Sequence, residues 1–176
     1  MHALTGVLAL LVVLARCAAA QEEYPTASLA LVAGPTHYSL QSRQGGGLIA
    51  LRLASPLVPL GTDHWLVEPN LGYASYRADS GQRRHVLVSE VQLQARTGAT
   101  PVRPYAGLGG GLAFSQGAPT PAGRHPTVWH LTFSAGVGIR VSAARSWGLG
   151  GELRLRQLGL FRGWTRELTT GLFAAF

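Results

Sequence analysis

Residues 127–141 read TVWHLTFSAGVGIRV, and they alternate. Trp129, Leu131, Phe133, Ala135, Val137, Ile139 and Val141 fall on one side of an extended chain, and His130, Thr132, Ser134, Gly136, Gly138 and Arg140 on the other. Successive side chains of a strand point to opposite faces, so this period of two marks a strand with one apolar and one polar face. Seven apolar positions without a polar intruder make it longer than a typical soluble strand. The length suits a strand crossing a bilayer at a tilt.

Seven further segments read the same way, and no stretch after residue 20 carries a helical period. The first sets Ala27, Leu29, Leu31 and Ala33 on its apolar face, and the second sets Ile49, Leu51 and Leu53 against Ala50 and Arg52. In the third, Trp65, Val67, Leu71 and Tyr73 oppose Glu68, Asn70, Gly72 and Ala74. In the fourth, Leu87, Val91, Leu93 and Ala95 oppose Glu90, Gln92, Gln94 and Arg96. The fifth sets Ala106, Leu108, Leu112 and Phe114 against Tyr105, Gly107, Gly109, Gly111 and Ala113. After the quoted strand come Trp147, Leu149, Leu153 and Leu155 against Glu152, Arg154 and Arg156. The last segment places Leu168, Leu172 and Phe176 against Glu167, Thr169 and Gly171.

Eight two-faced strands predict an all-β fold, an eight-stranded antiparallel up-and-down transmembrane β-barrel over residues 21–176. An even strand count puts both termini at one end. With the N-terminus starting in the periplasm, the outward loops fall near 39–46, 77–84, 115–126 and 158–164, and the opposite turns near 55–63, 97–103 and 142–146. Pro35 and Pro69 stand inside strands, where each removes a ladder donor. A bulge or local bend is expected near Gly34-Pro35; Pro69 has no place in the pattern.

Alternation alone does not say which face is inside. A soluble barrel holding an apolar ligand shows the same period with the faces reversed. The polar face is rich in glycine, at Gly72, Gly107, Gly109, Gly111, Gly136, Gly138 and Gly171, which fits a crowded interior better than a solvated exterior. It also carries Arg52, Arg96, Arg140, Arg154 and Arg156 beside Glu68, Glu90, Glu152 and Glu167, a set able to pair within a polar lumen. On the apolar face Trp65, Tyr73, Phe114, Trp129, Trp147, Trp164 and Phe176 gather near strand ends, as girdles at two lipid–water interfaces do. These features favour lipid outside.

The front of the chain points to export. Residues 3–15, ALTGVLALLVVLA, are too short to span a bilayer as a helix but suit the apolar region of a signal peptide. Ala18 and Ala20 supply the small residues that precede cleavage, which makes 1–20 the expected signal peptide. The competing reading, a lipoprotein box with an acylated Cys17, is opposed by the bulky Arg16 before it. Cleavage after Ala20 removes the sole cysteine and with it any disulfide or thiol chemistry. What remains holds fourteen arginines, no lysine and eight acids. An exported basic protein does not meet nucleic acid, so the expected polyanion is a phosphate-rich membrane surface.

With these residues in place the sequence resembles the small outer-membrane β-barrel proteins of Gram-negative bacteria, over nearly all of 21–176. RPYAGLGGGLAFS, residues 103–115, looks like the strand of that superfamily in which an aromatic precedes alternating glycines. The terminal Phe176, with Leu172 and Leu168, is similar to the signal those proteins present to the outer-membrane assembly machinery; Ala174 departs from the pattern, which often has an aromatic there. The resemblance implies residence in the outer membrane and one of several roles: adhesion or binding, resistance, tethering, a narrow pore or a lipid A-modifying enzyme.

Among these the residues discriminate. A lipid A deacylase type would want a histidine, a serine and a carboxylate together; His130 with Thr132 and Glu152 comes nearest and lacks the serine. His37, His64, His85 and His125 lie near strand ends or loops, and no pair has metal-ligand spacing, so neither a metal nor another cofactor is expected. An eight-stranded barrel is just wide enough for its own side chains, which predicts a plugged lumen. With no residues after the last strand, a tether with a separate peptidoglycan-binding domain is not expected. Arg43, Arg77, Arg83, Arg84, Arg124, Arg162 and Arg166 lie in or beside the outward loops, whereas Arg103 and Arg145 fall at the other end. Guanidinium groups grip phosphates in pairs of hydrogen bonds, so this ring is the candidate contact for lipopolysaccharide. The expectation is a non-enzymatic, monomeric outer-membrane barrel with a structural or surface-interaction role, touching outer-membrane lipid and lipopolysaccharide.

Overall fold

A computed structural model gives the fold, and it describes residues 27–38, 45–57, 65–77, 83–97, 101–116, 123, 127–144, 146–158 and 164–176. The signal-peptide segment and Cys17 lie outside the described residues. Eight strands form: β1 (Ser28–Tyr38), β2 (Gly46–Pro56), β3 (Trp65–Arg77), β4 (Arg83–Arg96), β5 (Val102–Gln116), β6 (Thr127–Ser142), β7 (Trp147–Leu158) and β8 (Trp164–Ala175). Each pairs antiparallel with the next, and β8 returns to β1, so the sheet closes without an edge. The closing strand is held to its end: Ala175 N donates to Ser146 O at 2.8 Å, and Phe176 N to Ala27 O at 2.9 Å.

The register fixes the shape. Stepping from Ser28 across paired positions through Ala54, Glu68, Gln92, Gly109, Ser134, Arg156 and Thr165 returns to β1 at Tyr38, ten residues further along. For eight strands that offset corresponds to a tilt of about 40°. The thirteen residues from Trp129 to Val141 then rise roughly 30 Å along the axis, the thickness of a bilayer core.

Both prolines sit where pairing lapses. β1 and β8 lose their partners at Gly34 and Pro35, yet Ala33–Thr170 on one side and Thr36–Glu167 on the other keep one register. The expected bulge is therefore absent, since a bulge would add a residue and shift the register. A Cβ on Gly34 would run into the Leu168 backbone, so glycine lets the two strands approach at the gap. Pro69 has the same explanation. The β2–β3 ladder lapses between Arg52–Asn70 and Ser55–Val67, while Pro69 remains paired with Val91 on β4. Each proline turns its missing donor toward a neighbour that makes no bond there.

The molecule is inside-out. Among the described residues twenty-eight large apolar side chains are exposed, all but Val128 at outward positions of the wall, with Leu108 at 71% and Leu172 at 58%. Eighteen polar or charged residues are buried among the described residues, against thirteen apolar ones. That settles the direction of the faces, because a soluble barrel would expose the charges and bury the leucines. Trp65, Trp147 and Phe176 stand outside at the end that carries the termini, and Tyr73, Phe114, Trp129 and Trp164 outside near the opposite end. Tyr73 stacks on His85 with ring centroids 5.7 Å apart, and its hydroxyl meets His85 Nδ1 at 2.5 Å.

The interior is not polar throughout. Leu48, Ala74, Tyr76, Val86, Val88 and Ala113 form an apolar layer toward the loop end, with Leu158 packed against it. Ala30, Val32, Ala50 and Phe173 form a second cluster along β1, β2 and β8.

Candidate functional site

Between and below these apolar clusters lies a lumen filled with charge. Strand parity puts it there, because Arg52, Glu68, Glu90, Arg96, Arg140, Glu152, Arg154, Arg156 and Glu167 all occupy inward positions and all are buried. Glu90 on β4 is one centre. It accepts hydrogen bonds from Arg156 Nε at 3.0 Å and Nη2 at 2.9 Å, from Arg154 Nη1 at 3.3 Å, and from the Thr132 and Ser134 hydroxyls. Glu152 on β7 is the other. Arg154 Nε donates to it at 2.5 Å, Arg52 Nη1 at 2.8 Å and the Tyr105 hydroxyl at 2.6 Å.

Glu68 pairs with Arg140 at 2.6 Å, with Arg154 Nη2 3.7 Å away, and Glu167 binds Arg156. Arg154 also donates to Gln92 Oε1 at 2.9 Å, and Gln94 donates to the same oxygen at 2.9 Å. Arg140 lies over the rings of Tyr105 and Phe173, 5.7 and 5.4 Å from their centroids. Taking charges out of water is costly, and the pairs offset that cost only because each guanidinium reaches more than one acceptor.

Glycine makes the crowding feasible. A Cβ on Gly138 would overlap the Tyr105 ring and hydroxyl, so only glycine lets that phenol reach Glu152. A Cβ on Gly107 would come within 2.7 Å of Gln92 Nε2. A cavity of about 20 Å³ remains beside Arg52, Tyr105, Arg140, Glu152 and Thr169, room for a single water with polar partners.

The nearest approach to a catalytic set is dispersed. Thr132 is bound to Glu90, and Glu152 is bound to Arg154, Arg52 and Tyr105. The structure instead brings Ser115 Oγ to 3.2 Å from His130 Nε2 on the inner face near the loop end. Sequence reading missed this serine because it lies fifteen residues away on the neighbouring strand, and only the β5–β6 register joins the two. Among the described residues no group of three His, Cys, Asp or Glu side chains could hold a metal.

The loop-side arginines divide. Arg43, Arg124 and Arg162 lie outside the described residues, as does Arg145. Arg77 and Arg83 end β3 and begin β4 as direct cross-strand partners, both exposed and outward by strand parity. Arg84 has inward parity and is half-buried, so it does not join them on the outer surface. Arg166 is outward on β8, paired with the exposed His37 on β1. All four acids among the described residues, Glu68, Glu90, Glu152 and Glu167, face inward. The charged side chains of the described outer wall are therefore all basic, and all lie toward the loop end.

No protein-family model and no curated protein sequence matches the chain. Solved structures do. Neisserial surface protein A aligns with a TM-score of 0.67 at 13% identity, over 88% of this chain and 100% of its own. The fold is that of the eight-stranded outer-membrane β-barrels. Ail of Yersinia pestis, solved in complex with the heparin analogue sucrose octasulfate, aligns at TM-score 0.62 and 11% identity, over 88% of this chain and 100% of that one. The outer-membrane enzyme PagL aligns at 0.53 and 15%, over 85% and 99%. At these identities the likeness is one of fold, and the fold carries both enzymes and non-enzymes.

Proposed function

We propose that the protein is a non-enzymatic, monomeric outer-membrane barrel with a structural or surface-interaction role, engaging lipopolysaccharide phosphates through arginines at its loop end. One observation carries this reading: outward charges among the described residues are all cationic and all at one end, at Arg77, Arg83 and Arg166 beside His37 and His85. Such an asymmetric belt has no use in a symmetric bilayer. It matches a membrane whose outer leaflet carries more phosphate charge than its inner one, and each exposed guanidinium offers paired donors to it. On this reading residues 1–20 are the signal peptide that delivers the chain to the periplasm.

The filled lumen supports the structural role over a narrow pore. The dispersal of His130, Thr132 and Glu152 supports it over a lipid A-modifying enzyme, and the apolar exterior tells against a soluble carrier of an apolar ligand. Titration of the folded protein in maltoside micelles with lipopolysaccharide tests the binding. Arg77→Gln/Arg83→Gln/Arg166→Gln should lose at least tenfold in affinity and show a shallower salt dependence. Equal affinity for the triple variant and the parent would sink the reading.

A further inference from the structure

At the end of the lumen that carries the termini, the charge balance fails. Arg140 is satisfied by Glu68 at 2.6 Å and by Ser28 Oγ at 2.8 Å. Its direct partner on β5 is Arg103, which also points inward and is half-buried. Arg96 on β4 pairs with Tyr105, two residues along from Arg103, and lies within electrostatic reach of both other arginines and of Glu68, whose carboxylate is already held by Arg140. Three guanidiniums thus share the inner wall of β4, β5 and β6.

Among the described residues no carboxylate forms an ion pair with Arg96 or Arg103. Arg96 is only 7% exposed, and its side-chain hydrogen bond goes to Gln94 Oε1 at a long 3.3 Å. The Nε atoms of Arg96 and Arg103 are both buried without an acceptor. Like charges directly opposite on paired strands repel, and a buried donor left unpaired is costly. Gly150, the partner of Arg140 on β7, adds no side chain at this level. Glu68 is taken up by Arg140 and the other buried glutamates by Arg52, Arg154 and Arg156, which leaves the Nε donors of Arg96 and Arg103 open at the mouth.

We propose that Arg96, Arg103 and Arg140 form an oxyanion site at the termini end of the lumen, taking a phosphate- or sulfate-class group. A tetrahedral oxyanion has enough oxygens to accept from two or three guanidiniums at once, and its charge relieves their repulsion. Phosphate chemistry at this mouth has two sources, a phospholipid headgroup of the facing leaflet and a soluble phosphate. The site is separate from the loop-end belt and does not depend on it.

The experiment is calorimetric titration of the folded protein with inorganic phosphate, at an ionic strength held constant with chloride. In maltoside micelles the parent should bind one phosphate. Arg103→Gln, checked for folding by its unboiled gel mobility, should weaken this at least tenfold, and Arg103→Lys should restore part of it. Leu108→Ala, on the outer wall, should leave it unchanged. Repeating the titration in phosphatidylcholine nanodiscs separates the sources. Binding retained there identifies soluble phosphate, and binding lost there identifies the headgroup as occupant; either supports the site. Absence of phosphate binding in maltoside overturns the proposal, as does binding that survives Arg103→Gln.

Discussion

Replacing Glu90 by glutamine keeps the side chain's shape and removes its charge at the most heavily bonded point of the lumen. Glu90 is 2% exposed and receives Arg156 twice, Arg154 once, and two hydroxyls. In the variant an amide NH₂ must face at least one of these donors, and Arg156 keeps only Glu167. Breaking a buried pair from one side costs about 3–5 kcal/mol. Because Arg154 retains Glu152 and Arg156 retains Glu167, the lower figure applies, about 3 kcal/mol. With a urea slope of about 2 kcal/mol per molar, the unfolding midpoint should fall by roughly 1.5 M. The assay is urea unfolding in micelles, with the folded fraction read from unboiled gel mobility. Adding Arg156→Gln to Glu90→Gln takes from Glu167 its ion pair, so the double variant should lose more than Glu90→Gln alone but less than the sum of the two single losses, giving a measurable coupling between the two sites. A midpoint shift under about 0.5 M for Glu90→Gln, roughly 1 kcal/mol on that slope, would refute the argument that these pairs are desolvated and interdependent.

The other expected outcomes concern the wall and the lumen. Leu153→Arg, mid-strand on the outer face between Val137 and Leu168, should cost about 2–4 kcal/mol in a bilayer, whereas Trp129→Arg near the loop-end interface should cost about 0–1 kcal/mol; equal costs in a refolding titration would contradict the assigned lipid belt. Gly138→Ala should destabilise by about 1–3 kcal/mol through its overlap with the Tyr105 ring, and Tyr105→Phe should relieve less of that loss than Tyr105→Ala in the same unfolding assay. Planar-bilayer recording of the parent should show no large steady conductance; a stable open level would contradict a lumen closed by the apolar layer of Leu48, Val86 and Val88 and the ion pairs beneath it.

The fold was legible because one rule, a period of two, governs every strand. Trp129 to Val141 shows it without interruption, and the same parity sends Arg154 and Glu152 inward together. The apolar layer was not legible, since Val86-Leu87-Val88 is apolar on both faces and alternation has nothing to distinguish there. Nor could the sequence say which glutamate meets which arginine. Arg154 and Glu90 are sixty-four residues apart, and only the ten-residue offset of the closed sheet brings them across the lumen. Pro69 looked like a fault for a related reason. A strand read alone shows a missing donor; the paired strand shows that nothing on β2 was waiting for it.

The two lapsed ladders also bear on how the cylinder is assembled. β1 meets β8 along Ser28–Ala33 and again along Thr36–Tyr38, with two unpaired positions between, so the final closure is made of two short zippers rather than one long one. The interruption on β2–β3 likewise separates a short stretch near Pro56 from the longer one above Arg52. β1 and β2 stay joined without a break, and both outer flanks of that hairpin are interrupted. The β1–β2 hairpin is thereby the least firmly laced part of the wall, the piece that can dock last as the sheet curls shut. A register error in either zipper can be undone by releasing a few bonds instead of a whole strand.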